Sequence, residues 1–276
     1  MSRDFDGVDD LINCNTSSTL NNLSSMTVAV WMTPSSLGES LIPRILDKSD
    51  GASNGWMWVL GGGASESRQM GFRVFFAGGL LSVYAAGSPN FSYQEKFHVA
   101  VAWNGGTPQD SVTWYKNGID VGNDAGGSAG SGARTSDTAN VLTIGNDSGA
   151  TRTFDGDLAH VQIFNRALNS GEVNQIMRFP GSITRGLVLY QRLEGFNSTE
   201  PDYSGRGNNG IVTGALKGAF APAITGVSVF PRPNLWYATA ITATTDATTG
   251  FYSKLSIDVD SKLSILSQTK LTLVAG

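Results

Sequence analysis

Phe5-Asp6-Gly7-Val8-Asp9-Asp10 near the start, and Phe154-Asp155-Gly156-Asp157 running into Phe164-Asn165-Arg166-Ala167-Leu168, are the stretches that decide the fold. Between them lie only short segments of alternating polarity separated by glycine turns. The two phrases therefore read as the first and last strands of one sandwich. Period-two alternation bounded by turn residues marks half-buried strands. It occurs at Met26 to Met32, Trp56 to Leu60, Met70 to Phe76, Leu80 to Ala85, Phe97 to Trp103, Ser111 to Tyr115, Val141 to Ile144 and Leu158 to Phe164. In the first of these, Val28 and Val30 take the face opposite Ala29 and Trp31.

Local signals fix what joins the strands. Asn117-Gly118 accepts the positive φ at both central positions of a type I′ turn, which predicts a tight hairpin between Tyr115 and Val121. Residues 122–137 are Gly, Ser, Ala and Asp with almost nothing to bury, and are expected to form an exposed loop. One short helix is expected over Ser170 to Met177, with Ser170 as its cap and Val173, Ile176 and Met177 on one face, ending before Pro180.

Composition bounds the rest. Among 276 residues, 40% are apolar, 15% are charged and 34 are glycine, as in a turn-rich globular β protein with a sizeable core. A net charge of −4 without a Lys/Arg run leaves no footprint for nucleic acid. No stretch approaches 18 apolar residues, so no membrane insertion is expected. Cys14 is the single cysteine and reads as a small buried hydrophobe. The strand pattern starts within five residues of Met1, so no signal peptide is seen; such a leader is either absent or not included in this chain.

Together the two opening phrases resemble the laminin-G-like, concanavalin-A-like jelly-roll family. The resemblance implies an all-β, antiparallel β-sandwich over residues 1–180. Leu187 to Leu193 and the turn Asp202-Tyr203-Ser204-Gly205-Arg206-Gly207-Asn208-Asn209-Gly210 resemble a phrase that the family commonly carries upstream of Phe-Asp-Gly; here it lies downstream. Residues 181–220 are expected to dock beside the first strand and complete or flank the sandwich, the alternative being an unfinished second module. From 221 onward Pro222, Pro231 and Pro233 imply a linker. Three short strands follow around Leu255, Ile257 and Val259, around Leu263 and Ile265, and around Leu271 and Leu273. They are too small to stand alone. Residues 221–276 are thus a β-rich C-terminal extension, either an arm binding a protein lattice or homo-oligomer, or a subdomain packed on its own chain.

Chemistry has few candidates. Two histidines exclude a multi-histidine metal site by count. His98 reads as a structural residue at a strand start, and His160 stands where relatives of this family frequently carry acids. Glycosidases of similar fold carry Glu-x-Asp-x-Glu on one strand, because alternate residues share a face and hydrolysis needs paired carboxylates. No such triplet occurs, so no catalytic residue is assigned and an enzyme is not expected. The resemblance implies a possible structural calcium, with Asp6, Asp9, Asp10, Asp155 and Asp157 as ligands and Ala159 where an acid is usual; the competing reading is that Asp-Gly pairs simply make turns. Trp56, Trp58, Trp103 and Trp114 read as core, and Trp236 and Tyr237 as exposed or tail-anchoring. Asn-x-Ser/Thr triplets at Asn15, Asn22, Asn90, Asn146 and Asn197 are read as chance. Two functions follow from the resemblance: a non-catalytic structural or decorating protein of a bacteriophage virion or other extracellular assembly that displays a jelly roll toward surface glycans, and alternatively a carbohydrate-binding or adhesive module of a bacterial surface protein.

Overall fold

The structure, a computed structural model, describes residues 1–38, 40, 42–61, 68–218, 242–245 and 252–256. In chain order the first strands are β1 (Ser2–Asp6), β2 (Leu11–Asn13), β3 (Met26–Pro34), β4 (Arg44–Ser49), β5 (Gly55–Leu60), β6 (Met70–Phe76) and β7 (Gly79–Tyr84). Then come β8 (Phe97–Trp103), β9 (Val112–Lys116), β10 (Ile119–Asp120), β11 (Thr143–Ile144), β12 (Asp155–Phe164) and the helix α1 (Ser170–Arg178). After it lie β13 (Leu187–Gln191), β14 (Thr199–Glu200), β15 (Gly210–Thr213) and β16 (Leu216–Gly218).

These strands form two antiparallel sheets. The front sheet runs β10-β9-β8-β3-β12-β1-β16 with β13 also on β12, and the back sheet runs β14-β15-β2-β11-β4-β5-β6-β7. Alternate residues of both enter one core: Val28 and Val30 of β3, Val99 and Val101 of β8, Trp56 and Trp58 of β5, and Phe72 and Val74 of β6. Jelly-roll sandwiching of this kind buries one face of each sheet against the other. Phe5 and Phe154, from the two opening phrases, are fully buried and meet edge to face at 6.3 Å between ring centroids.

The first and last strands of the sequence reading are neighbours, with Phe5 opposite Gly156. Asn117 and Gly118 both have positive φ, 50° and 79°, as the predicted hairpin requires. Strand β4 went unread because Arg44, Asp47 and Lys48 break its alternation. Burial is possible there because Arg44 pairs with Asp47 at 2.9 Å, and Lys48 donates to the carbonyls of Asp137 and Asn140.

Two expectations need correction. The helix cap is Asn169 rather than Ser170: the Asn169 side chain accepts from the Glu172 N–H, and Glu172 accepts from the Asn169 N–H in return. This is a reciprocal capping box. Residues 122–137 are also more than an exposed loop. Bridges pair Ala85 with Asn123, Ser82 with Ser128, Gly79 with Ser131 and Phe76 with Arg134, so the segment lies along the edge of β7. Buried Asp137 anchors its end through Asn22 and Arg134. Backbone pairing, which needs no apolar side chain, holds the segment in place.

Strands after the helix rejoin the same two sheets. β13 pairs with β12 in line with β1, β15 pairs with β2, and β16 pairs with β1. By its contacts the chain divides into two units, Met1–Gly226 and Val227–Gly276. In the second, β17 (Thr242–Thr245) and β18 (Tyr252–Ser256) form an antiparallel pair with Ala243 opposite Leu255. The expected linker prolines Pro222, Pro231 and Pro233, the aromatics Trp236 and Tyr237, and Ile257, Val259, Leu263, Ile265, Leu271 and Leu273 lie outside the described residues.

The cap assignment is testable. Asn169→Ala should lower the stability of the folded chain by about 1 kcal/mol in chemical denaturation. Ser170→Ala should stay within about 0.5 kcal/mol of the parent.

Candidate functional site

The acidic residues divide between different surroundings. Asp6, Asp9 and Asp10 gather with carboxylate oxygens within 4.8 Å of one another. Part of this group already serves the turn: Asp6 accepts from the Val8 N–H at 2.9 Å, and Asp10 from the Asp6 N–H at 2.8 Å. Burial and the charges of Asp6 and Asp9 push the Asp10 carboxyl upward. Asp155 stands opposite Asp6 and packs against Gly7. Asp157 is not brought to the cluster; its carboxylate takes the Ser2 hydroxyl at 2.6 Å. The three gathered carboxylates are hard oxygen donors of the kind Ca²⁺ prefers, and they are a partial set of the six to eight it takes.

The expected core tryptophans are core: Trp56, Trp58, Trp103 and Trp114 are at most 1% exposed. None can serve as a surface platform. His98 is fully buried in β8, edge to face with Trp31, and burial pushes it down to about 3. His160 has φ +52° at the irregularity of β12, and its Nδ1 lies 3.0 Å from the Tyr190 hydroxyl. Burial and nearby positive charge hold it at about 3 as well. Both are neutral structural residues at neutral pH. Cys14 is buried, and burial pushes its thiol up to about 12. Asn90 and Asn146 are buried and hydrogen-bonded, which removes them as modification acceptors.

The outer face of the back sheet offers a different arrangement. Strand register lays Thr143, Asp47, Met57, Arg73 and Ser82 in one row across β11, β4, β5, β6 and β7. A parallel row holds Arg44, Val59, Gly71 and Tyr84. Met57, Val59 and Phe75 form an apolar cluster here, separate from the main core, with Ile42 and Leu80 packed against it. Gly71 leaves room that Tyr84 uses: a Cβ at that position would lie 2.8 Å from the tyrosine ring. The half-buried Tyr84 ring thus rests on the backbone of β6, and its hydroxyl accepts from Arg73 at 2.9 Å. Burial raises the Tyr84 phenol, but hydrogen bonds with Ser82 and Arg73 outweigh it and the net direction is downward. Ser128, paired with Ser82, makes one wall. Met57 and Val59 are buried, at 2% and 0% exposed, and the partly exposed groups of this face are Ile42, Arg73, Leu80 and Tyr84; apolar side chains, an aromatic ring and a fixed polar group are the ingredients of a ligand-binding face.

Sequence reasoning missed this group. Its signal is Arg73 inside Met70-Gly71-Phe72-Arg73-Val74, a cation on the face away from the core, but its row partners come from strands that only pairing brings together. The acid of the row, Asp47, receives Arg44 Nε and both the N–H and hydroxyl of Ser49. Burial nevertheless pushes its carboxyl from 3.8 up to about 6. A folded-state value above the unfolded one means that ionisation costs the folded state, so this contribution favours folding below pH 4 and is lost as pH rises through about 6. Stability profiles from thermal melts should therefore show the parent losing ground relative to Asp47→Asn between pH 4 and pH 7. Parallel profiles would rule this out.

Comparison with known proteins agrees with the two-sheet fold. The profile of the concanavalin A-like lectin/glucanases superfamily matches residues 6–174. A solved protein of Bacteroides ovatus, described as carbohydrate binding, is 19% identical with a TM-score of 0.58, covering 78% of this chain and 58% of its own. The chain thus spans less than two thirds of that relative's length. A heptameric SAP-like pentraxin of Limulus polyphemus is 14% identical with a TM-score of 0.49, covering 67% of this chain and 85% of its own. Tailspike protein 2 of an Escherichia coli bacteriophage is 15% identical with a TM-score of 0.41, covering 69% of this chain and 26% of its own. A search of curated protein sequences finds no match. From the match over residues 6–174 and the two-sheet architecture, the chain belongs to the concanavalin A-like lectin/glucanases superfamily.

Proposed function

We propose that this chain is a non-catalytic glycan-binding module whose ligand lies along the outer face of the back sheet. The observation that carries the reading is the partly exposed Tyr84 ring seated over Gly71 beside the partly exposed Arg73, with Ser82 next in the row. A sugar ring presents one apolar face and a rim of hydroxyls. That pattern suits an aromatic surface bordered by an arginine, a serine and the Arg44–Asp47 pair. Superfamily membership and the carbohydrate-binding description of the Bacteroides ovatus protein support it.

The non-catalytic part rests on acid count. Glycoside hydrolysis generally uses two carboxyl groups flanking the bond. Among the described residues the two rows hold one acid, Asp47, whose carboxylate is occupied by Arg44 and Ser49. The finer reading is display on a virion or another extracellular assembly, with residues 221–276 as the attachment element. The sequence-level support is a tail whose short strands bury little area alone. A calcium ion, if taken up, would use Asp6, Asp9 and Asp10.

A glycan array should show saturable binding, and Tyr84→Ala should weaken it by about tenfold or more, the equivalent of ~1.4 kcal/mol. A blank array would rule out the glycan reading. Removing residues 221–276 should abolish self-association in light scattering while leaving glycan binding; a full-length chain that is already monomeric refutes the attachment role. Millimolar CaCl₂ should raise the melting temperature of the parent but not of Asp9→Asn, and equal shifts would exclude the ion from this cluster.

A further inference from the structure

The charge arrangement of this face narrows the ligand class, an inference that rests on the glycan-binding reading above. Two arginines stand on the outer face of the back sheet, and they are not equivalent. Arg44 is 7% exposed and paired with Asp47 at 2.9 Å. Arg73, half-buried one strand beyond Met57, forms no ion pair among the described residues. Among the described residues its side chain makes one hydrogen bond, from a terminal nitrogen to the neutral Tyr84 hydroxyl, and its Nε is buried with no partner. A guanidinium in such a position retains donors in a planar fork that fits a carboxylate in bidentate fashion. Desolvating it without an anion is costly, so a bound anion would gain a charge-assisted contact that a neutral sugar cannot make.

We infer that the face recognises an acidic sugar, a uronic or sialic acid residue whose carboxylate is received by Arg73 while its ring lies against Tyr84. The surroundings favour a single carboxylate over a densely sulfated chain. The nearest charged group on the rows is the Arg44–Asp47 pair, which is already neutralised, and the protein carries a net charge of −4. Polysulfated chains draw their affinity from several cations at once. Here one unneutralised arginine stands in the row, flanked by Met57 on one side and Ser82 on the other.

The test is an array carrying uronate-, sialate- and sulfate-containing glycans beside neutral counterparts. Calorimetry then follows on the best acidic hit and on its carboxyl-reduced derivative. Binding should fall at least about tenfold on carboxyl reduction and by a similar factor in Arg73→Gln, with Arg73→Lys intermediate because it keeps charge but loses the fork. The affinity of the parent should weaken as salt is raised. Circular dichroism melts of Arg73→Gln and Arg73→Lys confirm folding, and the carboxyl-reduction arm needs no variant. Neutral glycans binding as well as acidic ones, with Tyr84→Ala still deleterious, would overturn the carboxylate inference and leave the glycan reading standing. Preference for sulfated chains after carboxyl reduction would overturn it too. No binding to any glycan defeats both.

Discussion

Strand β12 is the constraint on which the sandwich depends, because both of its edges must be paired along ten residues. One edge is taken by β3 on both sides of a register shift between Ala159 and Gln162, and the other is shared in tandem by β1 and β13. Close approach to β3 demands a glycine at 156, where φ is +131° and a Cβ would sit 2.2 Å from the Thr33 carbonyl. The changeover between β1 and β13 falls where the β12 register shifts, and His160 takes the left-handed conformation there while its N–H reaches the Arg192 carbonyl. Such a bulge re-aims the strand without leaving it unpaired. The histidine that departs from the family's usual acids is thus part of a strand junction.

Buried charge does the remaining work of joining distant segments. Arg3 of β1 donates to Glu200 at 2.6 Å and to the carbonyls of Ala215 and Asn197, which ties the N-terminal strand to the last described strands of the first unit. Lys48 and Asp137 play the same role between β4 and the segment beside β7. Removing one partner of a buried pair leaves an uncompensated charge, so such contacts disfavour alternative pairings more than they add net stability. The chain therefore closes its sandwich with strands that arrive after the helix, and one edge of each sheet ends in the short β16 or β14.

The same sheet that buries Trp56 and Trp58 on one side carries the partly exposed Arg73 and Tyr84 on the other. The two-residue repeat of the strand separates the core face from the outer face, since adjacent residues point to opposite sides. This separation allows the outer face to change its polar groups without touching the core. Of the five acids the sequence offered as calcium ligands, Asp6, Asp9 and Asp10 gather at the first turn, whereas Asp157 binds the Ser2 hydroxyl instead, and the outer face of the back sheet carries a separate set of polar groups.

Alternation along single segments determined most strands, and Asn117-Gly118 determined its hairpin, because each is a property of consecutive residues. The Phe-Asp-Gly phrases likewise carried the family in themselves. Strand β4 and the ordered course of residues 122–137 were hidden because their stability comes from partners far along the chain, Asp137 for Lys48 and Ser82 for Ser128, whereas the Asn169 cap rests on Glu172 three residues on and was legible in the sequence. The row from Asp47 through Arg73 to Ser82 was equally beyond reach, although each residue is plain in the sequence. Which residues become neighbours across a sheet is set by register, and register is decided by the packing of whole faces. The amino-acid order specified two layers of strands; only their pairing placed an arginine, a tyrosine and a glycine together on the outer face of one sheet.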